Sequence, residues 1–285
     1  ERGVFVLGDH VDDALSKEEA ASGFALACQM WPKSDCVVSM PASSTACNIR
    51  QTACRTTVRR IDRLSESTFS LVLEGADLSG LAFLPGQYVN MSVPGHDQHR
   101  SYSFSSLVGD GAVSFLIRNV PGGLMSGILA NQLKPGDPIT LNGPLGSFYL
   151  RDIRRPVLML AGGTGLAPFL AMLAGIAASG GSPFPIHLIH GVNADRDVVE
   201  IERLEAFTRR IPGFTYAICV VDEASGHPRR GYVTDHIEPS QLNDGDVDIY
   251  LCGPPPMVEA VAQYLHARRI RSASFHFEKF APSAR

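Results

Sequence analysis

The pattern of apolar and polar positions changes character along the chain. Over residues 1–47 the apolar runs are short and scattered. Residues 11–23 contain Ser16 with Glu19 three positions on, a capping-box signature that predicts a short helix ended by Gly23. Residues 24–27 and 36–40 predict strands, with the turn-rich Trp31, Pro32, Lys33 and Ser34 between them. A small, polar, aperiodic stretch at 41–52 reads as a linker. Short β-rich runs then recur at 55–64, 68–73, 87–93, 100–105, 112–117 and 138–142, punctuated by Gly and Pro, which predicts a closed antiparallel barrel. From Arg154 onward, continuous apolar runs at 157–161, 186–191, 214–221 and 247–252 alternate with helical segments, the pattern of a parallel α/β sheet buried on both faces. The expected domains are therefore 1–47, 52–150 and 154–285.

Residues 156–178 organise the third region. A buried-type strand meets Gly162, Gly163, Thr164 and Gly165, and an Ala/Leu/Met-rich helical segment follows, with Pro168 in its first turn. A glycine loop at a helix N-terminus presents free N–H groups and the positive end of the helix dipole, which suits a diphosphate. The same stretch lacks charge, but its glycines would leave backbone groups unpaired in lipid and its apolar pieces are too short to span a bilayer. In the barrel region Arg100, Tyr102 and Phe104 share one face of a predicted strand, with Ser101, Ser103 and Ser105 on the other. An arginine, an aromatic ring and hydroxyls in that span can serve a ligand having both a phosphate and a flat ring. Gly122, Gly123 and the Ser126 hydroxyl open a predicted helix at 125–132, a second source of free N–H groups for an anion.

Composition narrows the class. The 285 residues allow two or three domains, and 45% hydrophobic with 19% charged residues is ordinary for a globular protein. A net charge of −4 with only short basic clusters argues against a nucleic-acid partner. The six cysteines form no CxxC pair, and no signal-type segment opens the chain, so a cytoplasmic location is expected.

Several motifs resemble one family. Residues 100–106 (RSYSFSS), 122–126 (GGLMS), 162–168 (GGTGLAP), 252–257 (CGPPPM) and 277–280 (FEKF) are similar, in order and spacing, to the ferredoxin–NADP reductase superfamily. The resemblance implies that Arg100 pairs with the diphosphate of FAD, Tyr102 stacks on its ring and Ser103 lies near flavin N5. It further implies that Gly122, Gly123, Met125 and Ser126 form a second flavin phosphate segment. Gly162, Gly163, Thr164, Gly165, Gly253 and Pro254 would then receive the nicotinamide nucleotide, with Cys252 facing the nicotinamide. Glu278 and Phe280 match the family's terminal acid and flavin-covering aromatic. Ser103, Cys252, Glu278 and Phe280 are thus the expected catalytic group. Asp195, an acid suited to a ribose 2′-OH, favours NADH, although it or Asp197 could equally cap a helix, and Arg196 is a candidate for a 2′-phosphate.

Residues 24–38, with Cys28 in an LACQ stretch, resemble the last third of a plant-type 2Fe-2S ferredoxin of beta-grasp fold. By that likeness Cys28 is one of four iron ligands. The upstream C-x4-C-x2-C loop is absent from this sequence and Cys36, Cys47 and Cys54 have the wrong spacing to replace it, so a cluster is expected only in an intact protein that begins before Glu1. The domain order resembles iron-sulfur flavoprotein reductases of benzoate- and anthranilate-type ring-hydroxylating dioxygenases. That implies electron transfer from NADH through FAD and a 2Fe-2S cluster to a terminal oxygenase. The alternatives are another acceptor, such as a di-iron monooxygenase or a ferredoxin, and a non-catalytic flavin- or nucleotide-binding regulator.

Overall fold

The computed structural model describes residues 3–8, 20–21, 23–38 and 49–280. The chain divides into two units, Glu1–Asn48 and Ile49–Arg285. In the first, β1 (Phe5–Leu7) pairs antiparallel with β2 (Met30–Pro32), and Ala27–Gln29 makes one 3-10 turn. The strand expected at 24–27 is absent, and Trp31 and Pro32, expected in a turn, lie in β2. The reason is pairing: Gln29 N–H bonds to the Leu26 carbonyl within the turn, whereas 30–32 find a distant partner in β1. Residues 36–38 hold no strand beyond an isolated bridge at Val37. The helix expected at 11–23 and most of the linker at 41–52 fall outside the described residues. Two three-residue strands do not identify a beta-grasp fold.

The second unit holds two sheets. Six antiparallel strands, β3 (Thr52–Arg63), β4 (Thr68–Glu74), β5 (Tyr88–Ser92), β6 (His99–Ser103), β7 (Ala112–Arg118) and β8 (Pro138–Leu145), run in the order β6-β5-β8-β3-β4-β7. A bridge between Phe104 and Phe115 brings the two edges together, so the barrel is nearly closed. Cys54, Thr56 and Val58 are buried on β3 while the residues between them are exposed, the alternation that one covered face demands. Leu71, Val89, Met91, Phe104, Phe115 and Leu141 fill the interior, with Phe83 stacked on Phe104 at 3.9 Å.

The other sheet is parallel, in the order β11-β10-β9-β12-β13, where β9 is Val157–Gly162, β10 Ile186–Val192, β11 Phe214–Val220, β12 Asp248–Gly253 and β13 Ser274–Lys279. Val157, Met159 and Ala161 of β9 face a core built with helices Ala167–Ala178 and Ile201–Arg210, and Leu158 and Leu160 face the one built with Pro255–Ala267. Cover on both faces is why β9 reads as an unbroken apolar run. Four parallel strands were expected; the C-terminal segment supplies a fifth, with Cys252 opposite Glu278. The chain leaves β9 toward β10 and β11, then returns to β12 and β13 on the other side, so the strand order reverses between β9 and β12. That reversal opens a crevice at the carboxyl ends of the two strands, where open α/β sheets bind ligands.

Barrel and sheet are packed into each other. Leu116 of β7 belongs to the sheet's core and Ala171 to the barrel's. Gly86, at φ +114°, lies so close that a Cβ there would sit 2.5 Å from the Met172 methyl and 2.8 Å from Tyr149 Cα. Among the described residues, no helix is long and apolar enough to cross a membrane.

Candidate functional site

Strand β6 of the barrel meets β13 of the sheet at their seam, and barrel and sheet each carry one glycine-fronted helix start. Strand β6 brings Arg100, Tyr102 and Ser103. Arg100 is half-buried and donates from Nη1 to the His99 carbonyl (2.9 Å) and from Nη2 to Gln98 Oε1 (2.8 Å). Tyr102 is half-buried beside the barrel core, and burial pushes its phenol well above the usual range despite Arg100. Phe104 is fully buried in the barrel against Phe83 and Phe115, and Tyr102 packs against the same core.

The second barrel element is helix Leu124–Asn131, which begins one residue before the expected start, after Gly122 (φ +69°) and Gly123. Gly122 has open space around it. Met125 and Ser126 are both buried. The Ser126 hydroxyl lies 2.8 Å from the Val120 carbonyl and 3.2 Å from that of Gly123, and accepts from Val120 N–H at 3.2 Å. It therefore shapes the loop, beside the unpaired first-turn N–H groups that every helix start exposes.

On the sheet, β9 runs into Gly163–Leu166, one 3-10 turn, and then into helix Ala167–Ala178 with a proline in its first turn. Gly163 adopts φ +53° with nothing near its missing side chain, and Thr164 is half-buried. Gly165 is needed for another reason: a Cβ would run into the Cys252 carbonyl. Likewise a Cβ on Gly162 or Gly253 would meet Met257 Sδ at 2.5 or 2.7 Å. The Gly165 backbone thus packs directly on the end of β12, Gly162 and Gly253 lie against the Met257 thioether, and Pro254 is exposed beside them.

His190 escapes a sequence reading. It is fully buried on β10, opposite Ala161, and its Nε2 lies 3.1 Å from the Gly163 carbonyl. Burial lowers its pKa to about 4, so the ring is neutral and Nε2–H donates to that carbonyl. It pegs the glycine turn from beneath. Only the register of β10 on β9 reveals this, since the two residues are 27 apart.

At the seam, Ser103 of the barrel donates to Glu278 Oε2 of β13 at 3.2 Å. Burial raises Glu278 to about 7, and the Ser103 bond opposes the rise only in part. Cys252, fully buried and in register with Glu278, is held well above the ordinary thiol range by burial and then by that carboxylate. The site therefore holds a neutral thiol beside a carboxyl that exchanges its proton near neutrality. Phe280 N–H bonds to the Gly253 carbonyl at 2.9 Å and its half-buried ring packs on the sheet core. Ser103 and Cys252 thus both lie beside Glu278, the one by hydrogen bond and the other by register, and Phe280 follows just after β13.

Further out, Asp195 accepts from the Ser225 hydroxyl at 2.6 Å, whereas Asp197 caps its own turn by accepting from Ala194 N–H at 3.2 Å. Arg196 pairs with Glu66 of the barrel at 3.2 Å. Cys28 lies in the 3-10 turn of the first unit, its side chain outside the described residues. Cys54 is buried in the barrel, Cys36 Sγ bonds to the Ser34 carbonyl, and no group of three His, Cys, Asp or Glu among the described residues could hold a metal. These residues do not fit an iron-sulfur cluster. The two glycine cradles, the neutral proton-exchanging seam and the flanking half-buried Tyr102 do fit a flavin and a dinucleotide.

Comparison with known proteins agrees. Residues 55–149 match the family described as oxidoreductase FAD-binding domain, and residues 159–263 the oxidoreductase NAD-binding domain. The toluate 1,2-dioxygenase electron transfer component of Pseudomonas putida is 57% identical over 285 residues, covering all of this chain and 84% of that protein. The anthranilate 1,2-dioxygenase electron transfer component of Acinetobacter baylyi is 38% identical, covering 99% and 83%. The crystal structure of an Amycolatopsis cytochrome P450 reductase superposes with a TM-score of 0.74 at 31% identity, over 99% of this chain and 86% of that one.

Proposed function

The chain belongs to the family of FAD- and NAD-binding electron transfer components of aromatic-ring dioxygenases, and we propose how its own residues carry that activity. It takes electrons from NADH and passes them toward a terminal oxygenase, the protein partner that this family serves. Residues 52–150 are the flavin barrel, 154–285 the nucleotide domain and 1–47 the end of a ferredoxin domain. Bound FAD would supply the redox chemistry, as a group able to exchange electrons in pairs and singly.

The observation that carries the reading is the Ser103–Glu278 hydrogen bond across the seam, beside a crevice whose glycines allow backbone contact with a dinucleotide. Arg100 and the Leu124–Asn131 helix start would hold the flavin diphosphate, and Tyr102 and Phe280 would receive the ring. Gly162, Gly163, Thr164 and Gly165, pegged by His190, hold the nucleotide diphosphate, with Gly253 and Pro254 on the facing edge. Cys252 excludes water where the nicotinamide docks, and Ser103 and Glu278 hold or move the accompanying proton. Asp195 would take the ribose 2′-OH and repel a phosphate, so NADH is favoured over NADPH. Unpaired cysteines at 36, 54, 219 and 252 and the use of NADH suit the cytoplasm.

Anaerobic addition of NADH to the yellow protein tests this. Complete bleaching, with NADPH at least about 10-fold less effective, is expected. A yellow protein that NADH leaves unchanged would identify a flavin-binding regulator instead.

A further inference from the structure

We propose that Arg203, braced by Glu200, is a positioning residue that locks the nucleotide domain onto the flavin strand and so sets the distance between the two reacting rings. The proposal rests on the reading above.

Arg203 lies on helix Ile201–Arg210 of the sheet, and its Nη2 donates to the Ser105 carbonyl of the barrel at 2.6 Å. Ser105 is fully buried and otherwise committed to its own barrel: its N–H bonds to the Ser114 carbonyl and its hydroxyl to Ser114 Oγ, both at 2.8 Å. Arg203 is the partner for its remaining polar group, so the contact completes the hydrogen bonding of a buried peptide. The other end of the guanidinium is fixed as well. Nη1 pairs at 3.3 Å with Glu200, whose side chain is only 9% exposed. Glu200 caps the helix at φ +64°, a left-handed conformation that non-glycine residues rarely hold without support.

Position gives the clamp its purpose. Ser105 is two residues beyond Ser103, which is itself tied to Glu278. The 103–105 segment is thus gripped by β13 at one edge of the sheet and by the helix that connects β10 to β11 on the other side of the crevice. One grip leaves the strand free to pivot; two do not. The interlocked cores elsewhere in the seam, with Leu116 of the barrel in the sheet's core and Ala171 of the sheet domain in the barrel's, would serve as the pivot if either grip were lost. Hydride transfer tolerates little error in ring separation, and displacement of about 1 Å can cost about 100-fold.

The test compares Arg203→Met, which keeps the stem and removes the donors, with Arg203→Lys and Glu200→Gln. In anaerobic rapid mixing, Arg203→Met should bleach about 10- to 100-fold more slowly at saturating NADH. Flavin content, melting temperature and half-saturating NADH should stay within about 3-fold or a few degrees of the parent. Arg203→Lys should recover a large part of the rate, and Glu200→Gln should fall between. In the flavin-free protein, amide exchange over 103–116 and 201–210 should rise together in Arg203→Met. A parental bleaching rate in Arg203→Met, a rate loss matched by flavin loss, or unchanged exchange would overturn the proposal. If the parent itself is not bleached by NADH, the functional reading fails, and exchange alone still judges the clamp.

Discussion

The two glycine cradles look alike in sequence and are built on different physics. The barrel's, at Gly122–Gly123, is shaped by a side chain: Ser126 ties the Val120 backbone back onto the helix start, and Gly122 stands in open space. The sheet's, at 162–165, is shaped by proximity: the ends of β9 and β12 meet backbone to backbone, and His190 pins the turn from below. The barrel cradle can be loosened by removing one hydroxyl, whereas the sheet cradle breaks if one methyl is added. Ligand-binding loops of the same composition can thus differ in which kind of change they tolerate.

The sharpest way to break this contrast is Gly165→Ala. The added carbon meets a backbone carbonyl of β12, which cannot swing aside as a side chain could, so the crevice must open. NADH-driven bleaching should fall by at least about 100-fold, which is about 2.7 kcal/mol, with melting lowered by several degrees and flavin still bound. Normal NADH saturation in this variant would show that proximity does not shape the sheet cradle.

Glu278 sits on the seam between barrel and sheet, bonded to Ser103, and its effect should be intermediate. Its carboxyl is raised by burial from 4.5 to about 7, so the folded protein favours the protonated form. The associated stability is fully present below pH 4.5 and is lost as pH rises through about 7. Glu278→Gln should remove that slope, so that melting temperatures at pH 5 and pH 8 converge relative to the parent. The parent's bleaching rate should drop as pH passes about 7, while the Gln variant should be slower by about 10-fold and flat over that range.

How much of this was legible in sequence follows the range of the forces involved. The run at β9 and the alternation of β3 were readable because burial on two faces or one imprints directly on neighbouring residues. The motifs at 162–168 and 252–257 were readable because each glycine or proline is a local constraint, and the one at 100–106 because its arginine, tyrosine and serines fall within a single strand. Misplacement of the strand at 24–27 came from a pairing with Phe5–Leu7 that no local pattern encodes. His190 beneath Gly163 and Arg203 against Ser105, 98 residues away, depend on strand register and domain packing. The bonds of Ser126 to the Val120 and Gly123 carbonyls were equally out of reach, since nothing in the motif shows them.

That residue gives the next smaller effect. Ser126→Ala removes the bonds to Val120, each worth about 1 kcal/mol, without adding bulk. Flavin retention on dilution should weaken by about 5- to 10-fold, and half-saturating NADH in flavin-replete protein should not move. An equal loss at both sites would mean that the cradles are mechanically one unit.

The smallest effect belongs to Gly122→Ala, and it separates strain from collision. Gly122 has φ +69°, so an L side chain costs about 1 kcal/mol, yet no atom lies within 4 Å of where its Cβ would be. The substitution should therefore lower global stability by about 1 kcal/mol in denaturant titrations and weaken flavin binding by no more than about 3-fold. Set against Gly165→Ala, the same added methyl would then differ in effect by more than about 30-fold, according to whether it meets solvent or a carbonyl. If Gly122→Ala instead abolishes flavin binding, the N–H groups there lie closer to the diphosphate than the open space around this glycine suggests, and the barrel cradle too is set by proximity.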